Sequence, residues 1–173
     1  ASAFGDSASA SAWGATALGV GASAKADNSI AVGSQAVTEG QESTAVGRRS
    51  YASGASSLAV GTNANASGIV ATAVGGGAKA SEVMASSFGI SANASGRGSL
   101  ALGASSNASA VDALATGSNS VASAMNAVAI GQKSNSSAVN AIALGQASNA
   151  SAVSAVVIGT QAKAIHENSV TLG

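Results

Sequence analysis

The chain has no cysteine, only four aromatic residues and no apolar run approaching the length needed to span a membrane. Without cysteine there is neither a disulfide frame nor a thiolate site. Phe4, Trp13, Tyr51 and Phe88 are too few to build an ordinary globular core, and much of the 46% hydrophobic content is alanine, which buries little area per residue. Charge is as scarce: seven basic and seven acidic residues cancel, and neither sign gathers into the block expected of a nucleic-acid binder. The single histidine, His166, stands beside Glu167 with no serine or carboxylate arranged around it in a catalytic motif. The many serines lack an activating base. Asp6, Asp27 and Asp112 are too few for a calcium-binding nonapeptide array. Gly75-Gly76-Gly77 lacks the following Lys-Ser/Thr of a phosphate-cradling loop. Neither enzymatic activity nor a cofactor or metal is expected.

What the chain does have is a repeat. Glycine returns every 14 residues, from Gly5 through Gly131 to Gly173, in an unbroken column of thirteen. The residue before it is Phe, Leu, Val or Ile in twelve copies, Thr116 being the exception, and the residue two before is alanine in ten. Four before it, and again three after it, only Ala or Ser occurs. A self-similarity of this strictness decides the fold ahead of local propensity.

A period of 14 equals two heptads, but a coiled coil would place thirteen glycines inside helices, each costing about 1 kcal/mol relative to alanine. It would also need e/g charges that are missing. Alternation of small and large residues instead predicts two short strands per repeat, such as 127–130 and 134–136, with Gly131 turning the chain between them. Coils of this kind stack as parallel ladders about 4.8 Å apart, so twelve of them predict a rod of roughly 55–60 Å. Ser9, Lys79, Asn93, Asn107, Asn135, Asn149 and Lys163 alternate with Ala and Ser, so the small residues face inward. The same reading turns Leu100, Leu102, Val128, Ile130, Ile142, Leu144, Val156 and Ile158 outward as a stripe too apolar for water, and predicts an obligate homo-oligomer. Geometry favours three chains, and the residues alone leave two open. The competing register, with aliphatics inside and alanine at the interface, is one residue of slip away. Polar breaks in the stripe fall early, at Ser2, Thr16, Thr44, Thr72 and Ser86, so the second half carries the drier face. Trp13, Ile69, Val83, Val111, Met125, Val139 and Val153 share a further column and suit an interface edge.

Asn126-Ala127-Val128-Ala129-Ile130-Gly131-Gln132-Lys133-Ser134 is close to an NSVAIGxxS motif, and Asn28-Ser29-Ile30-Ala31-Val32-Gly33 and Asn168-Ser169-Val170 are similar. On these repeats, residues 1–173 resemble the YadA-like heads of trimeric autotransporter adhesins. The resemblance implies an all-β fold, a left-handed parallel β-roll of about twelve coils in a homotrimer, carried on a stalk and a membrane anchor outside this sequence. The chain begins within a repeat and without Met, so a fragment of a longer surface protein is expected. Implied too are display on the outer membrane of a Gram-negative bacterium and attachment to matrix proteins such as collagen, fibronectin or laminin, or autoaggregation. The alternative is a passive spacer that projects another binding domain.

Five sequons, at Asn65, Asn93, Asn107, Asn135 and Asn149, share one repeat phase and read as an outward polar ladder. Arg48, Arg49 and Tyr51 depart from the repeat without structural need and are the candidate ligand contact.

Overall fold

A computed structural model describes all residues, 1–173. It is a parallel β-solenoid of about twelve coils with no helix. Its contacts divide it into two compact units, Ala1–Ala85 and Ser86–Gly173.

Each coil contributes one three-residue strand to a first sheet and one two-residue strand to a second. In the N-terminal unit, Thr16–Leu18, Ile30–Val32, Thr44–Val46 and Leu58–Val60 follow one another in the first sheet, and Ser23–Ala24, Val37–Thr38 and Tyr51–Ala52 in the second. Every rung is parallel and offset by one whole repeat, so Ala17 lies on Ala31, Ala31 on Ala45 and Ala45 on Ala59. The C-terminal unit obeys the same rule: Leu100, Leu114, Val128, Ile142 and Val156 form one row, and Ala101, Ala115, Ala129, Ala143 and Val157 the next.

The interior between the two sheets is filled by the small columns. Ala17, Ala31, Ala45, Ala59 and Ala73 are buried in one unit, Ala101, Ala115, Ala129 and Ala143 in the other, and Val157 is the largest fully buried side chain. This is the register with alanine inside and the large aliphatics outside. Serine substitutes for alanine because the turns offer an acceptor: the hydroxyls of Ser50, Ser106, Ser120, Ser134 and Ser148 donate to the glycine carbonyl three residues back, at 2.8–2.9 Å. Ser29 and Ser43 do the same to the opposite turn, donating to Ala26 O and Gly40 O at 2.6 Å. Buried hydroxyls thus find partners without widening the coil. The hydroxyls of Ser57 and Ser87 and Oδ1 of Asn65 are buried without one, and nothing in the structure explains them.

Two features of the backbone fix the repeat. The column glycines from Gly5 to Gly159 hold φ between +124° and +139°, a region open essentially to glycine alone. They also lie directly on one another: a Cβ on Gly47 would stand 2.7 Å from the carbonyl carbon of Gly61 in the next coil. Conformation and space therefore exclude any side chain here. The second feature is less visible in the sequence. Each coil closes with two tight turns, as in Ala36 N–H to Gly33 O at 3.1 Å and Ser43 N–H to Gly40 O at 3.2 Å, and each turn holds its third residue left-handed, Gln35 at φ 59° and Glu42 at φ 57°. The Gly75-Gly76-Gly77 run is one such turn, closed by Ala78 N–H to Gly75 O at 3.2 Å.

These constraints separate glycines that look alike. Gly47→Ala should cost roughly 3 kcal/mol by combining φ strain with backbone overlap. Gly76→Ala should be neutral or mildly stabilising, since a Cβ there meets only Thr62 O at 4.0 Å and φ is not positive. Urea midpoints of the two variants test the contrast; equal losses would refute it. Val70 is a β-branched residue at φ 57°, so Val70→Asn should raise stability by about 1 kcal/mol in the same assay.

Candidate interface and recognition faces

With Ala and Ser consumed by the interior, four outward surfaces remain: the outer side of each sheet and the two turn edges. On the first sheet, the C-terminal unit presents Leu100, Val128, Ile142 and Val156 in one row, all half-buried. Beside it run Leu102, Thr116, Ile130, Leu144 and Ile158, where Leu102 and Ile158 are each 44% exposed and Ile130 39%. Alternation along the strand, inward Ala129 between outward Val128 and Ile130, produces this face directly. All eight sequence-predicted interface residues lie on it. In the N-terminal unit the corresponding rows are mixed, with Thr16, Thr44 and Thr72 interrupting Ile30 and Leu58, while Leu18, Val32, Val46, Val60 and Val74 run unbroken alongside.

The second sheet turns mostly polar side chains outward, with Val37 and Val121 as exceptions. Asn93 Nδ2 donates to Asn107 Oδ1 at 2.9 Å, and Asn135 Nδ2 to Asn149 Oδ1 at 3.3 Å. Four of the five sequon asparagines are thus held as two stacked pairs, and Asn65 stands apart from them. On the turn that precedes the first sheet, Val111, Met125, Val139 and Val153 stand in one column, half-buried to exposed, along the margin of the aliphatic face. Trp13, Ile69 and Val83 occupy the same phase in the N-terminal unit, with Trp13 77% exposed.

The three residues singled out as a ligand contact part company. Tyr51, on the second sheet, donates its hydroxyl to Glu39 Oε2, while Lys25 Nζ meets Glu39 Oε1 at 2.7 Å in the only ion pair of the chain. The hydrogen bond from Lys25, then that from Tyr51, holds the Glu39 carboxyl below its ordinary value. Glu39 in turn raises Lys25, by hydrogen bond and then by charge, and raises Tyr51 chiefly through the hydroxyl bond. Arg49 belongs to the turn edge after the first sheet, its Nε donating to Gln35 Oε1 at 2.8 Å. Arg48 beside it is exposed and makes no side-chain hydrogen bond. Sequence reasoning passes over Lys25, Gln35 and Glu39. Their signal is present as opposite charges, and as a Gln and an Arg, 14 residues apart in one column. His166 is exposed, and no cluster of His, Cys, Asp or Glu suited to a metal ion and no pocket is present.

Stacked coils with an interior of small side chains, and larger side chains on the outer faces, define a parallel β-solenoid. The family model of the YadA head domain repeat matches residues 14–36, 39–64, 52–78, 80–106, 108–134, 122–148, 136–162 and 150–173. Because those matches cover far more than half of its length, the chain belongs to the YadA head repeat family. Among solved structures it is similar to the crystal structure of the collagen-binding domain of the Yersinia adhesin YadA, at 28% identity and a TM-score of 0.55 over 77% of this chain. It spans 66% of that chain's length. No curated protein matches it in sequence.

The directions of the three shifts give a pH test. Glu39 is lowered, so its bonds persist above the ordinary carboxylate range and are lost as pH falls through the lowered value. Lys25 and Tyr51 are raised, so their share is present below their ordinary values and is lost as pH rises through the raised ones. An NMR titration should place the Glu39 midpoint below that of an ordinary glutamate. Lys25→Met should move it up, and Tyr51→Phe should move it up by less; a midpoint unchanged in both variants contradicts the triad.

Proposed function

We propose that the chain is the head of a bacterial surface adhesin, assembled as a homotrimer about the aliphatic face and displayed outside a Gram-negative cell. The observation that carries this reading is the inside-out distribution of side chains: methyl groups fill the coil while large aliphatics face outward. There are two in most coils of the C-terminal unit and at least one in every other coil but those of Ser2 and Phe4 and of Ser86 and Phe88, where an aromatic stands. At about 1.5–3 kcal/mol for burying each such side chain, a ladder of them favours association strongly. Leu100, Leu102, Val128, Ile130, Ile142, Leu144, Val156 and Ile158 form the intermolecular core in this reading, with the Val111–Val153 margin at its edge and Thr116 as a polar ring. The mostly polar second sheet and the turn edges then face outward on all three chains. Attachment comes from many weak contacts made together, so that avidity supplies the affinity. The likeness to a collagen-binding domain makes collagen the first matrix protein to test, followed by fibronectin and laminin. Arg48, Arg49 and Tyr51 are the proposed contact residues, and autoaggregation would use the same outer faces.

Sedimentation equilibrium across a dilution series should give three times the chain mass, and Ile130→Asp with Leu144→Asp should give monomers. A folded wild-type monomer would overturn the assembly. Cells displaying the full-length protein should adhere to collagen-coated surfaces and lose most of that adhesion when the outward Asn, Lys and Arg columns are altered. Unchanged adhesion would assign the repeats to the role of a spacer.

A further inference from the structure

The turn edge of the N-terminal unit carries a feature that the proposed trimer interface does not use. Arg48 and Arg49 occupy the two central positions of the turn that Ser50 N–H closes onto Gly47 O at 3.2 Å. Neighbouring coils grip the turn on both sides, Arg49 N–H donating to Ser34 O at 2.9 Å and Asn63 N–H to Arg48 O at 3.0 Å. The Arg49 guanidinium is further pinned by Gln35, which occupies its Nε and leaves its terminal nitrogens unbonded. Two adjacent guanidinium groups are therefore held on a rigid backbone with no carboxylate partner.

The surroundings define what such a pair can take. In the same turn of the flanking coils stand Ser34 and Gln35 on one side and Thr62 and Asn63 on the other, all hydrogen-bonding side chains. One coil further, Gly76 and Gly77 present no side chain, so the edge lies open along the stack. Of the acidic residues in this unit, only Asp6 shares this edge, three coils away. Asp27, Glu42 and Glu82 belong to the opposite turn, and Glu39 is engaged by Lys25 and Tyr51. The edge is an open, polar, cationic strip. A protein partner would want an apolar or aromatic anchor beside the arginines, and in this unit the edge offers only Val20, two coils away. A linear polyanion needs only charge and hydrogen bonds along its length, and guanidinium forks match tetrahedral oxyanions.

We propose that Arg48 and Arg49, positioned by Gln35 and flanked by Ser34, Thr62 and Asn63, form a binding site for a sulfated polysaccharide. Tyr51 is not part of it. The assignment rests on the reading of the chain as a displayed head only for where the ligand is met; binding itself requires neither the trimer nor collagen.

The repeat supplies substitutions that the fold already accommodates. Gln132 and Gln146 occupy the position of Arg48 in other coils, and Gln35 and Gln161 that of Arg49, each of these two at φ 59°. Arg48→Gln/Arg49→Gln therefore removes both charges without a backbone change, and circular dichroism verifies the fold. The wild-type chain should be retained on immobilised heparin at low ionic strength and released as salt rises. The double glutamine variant should bind heparin at least tenfold more weakly, Gln35→Ala should fall between, and Arg97→Gln, on the opposite turn, should match wild type. Wild-type retention by the double variant, or an equal loss in Arg97→Gln, would overturn the site. Equal retention on hyaluronan, which carries carboxylates and no sulfate, would overturn the choice of sulfate. Sedimentation and collagen adhesion of the same samples separate this result from the adhesin reading, since heparin retention by a monomer that ignores collagen leaves the arginine site standing alone.

Discussion

The contact on which the structure depends is peptide backbone lying on peptide backbone at the glycine column. Where Gly47 meets Gly61, no atom separates one coil from the next, and the φ near +130° that brings them together is closed to other residues. That contact holds successive coils in one register, so each inward residue is stacked on its own counterpart and every column must satisfy the same space. Alanine and serine do so almost throughout, and Thr38 and Val157 are the largest side chains buried there.

A narrow interior moves the energetics outward. Alanine methyls contribute little area each, while the side chains with most to gain from leaving water, such as Leu102, Ile130 and Ile158, stand on the surface of the isolated chain. The hydrophobic core of the proposed assembly is therefore shared among subunits, and the coil acts as a frame that aligns it. Serines at turn-facing positions complete the frame by satisfying carbonyls that a tight turn leaves inside.

The fold was legible because every position that matters for it recurs. The alternation of Ala127, Val128, Ala129 and Ile130 assigns inside and outside without reference to distant residues, and Gly131 marks the turn. The turns themselves were less legible: a left-handed φ is carried by Asn63, Arg49, Val70 and Met84 alike, because hydrogen bonds from the neighbouring coils impose it whatever the side chain. The candidate contact was half legible. Arg48, Arg49 and Tyr51 stand out as departures, but which partner each side chain takes depends on residues in the neighbouring coil, and that pairing sends Tyr51 to Glu39 and Arg49 to Gln35. Reading down the columns as well as along the chain would have separated them.

The closed turns have a consequence for resistance to proteolysis. A protease must draw several consecutive residues in extended form into its cleft, and it ordinarily finds them in long exposed loops. Here nearly every link between strands is a tight turn closed by its own hydrogen bond, and most are bonded to the neighbouring coils as well. There is no slack segment to seize, so cleavage has to wait for a coil to peel away, and the glycine contacts resist that peeling. The geometry that leaves no room for side chains at the glycines also leaves digestive enzymes no loose chain to cut.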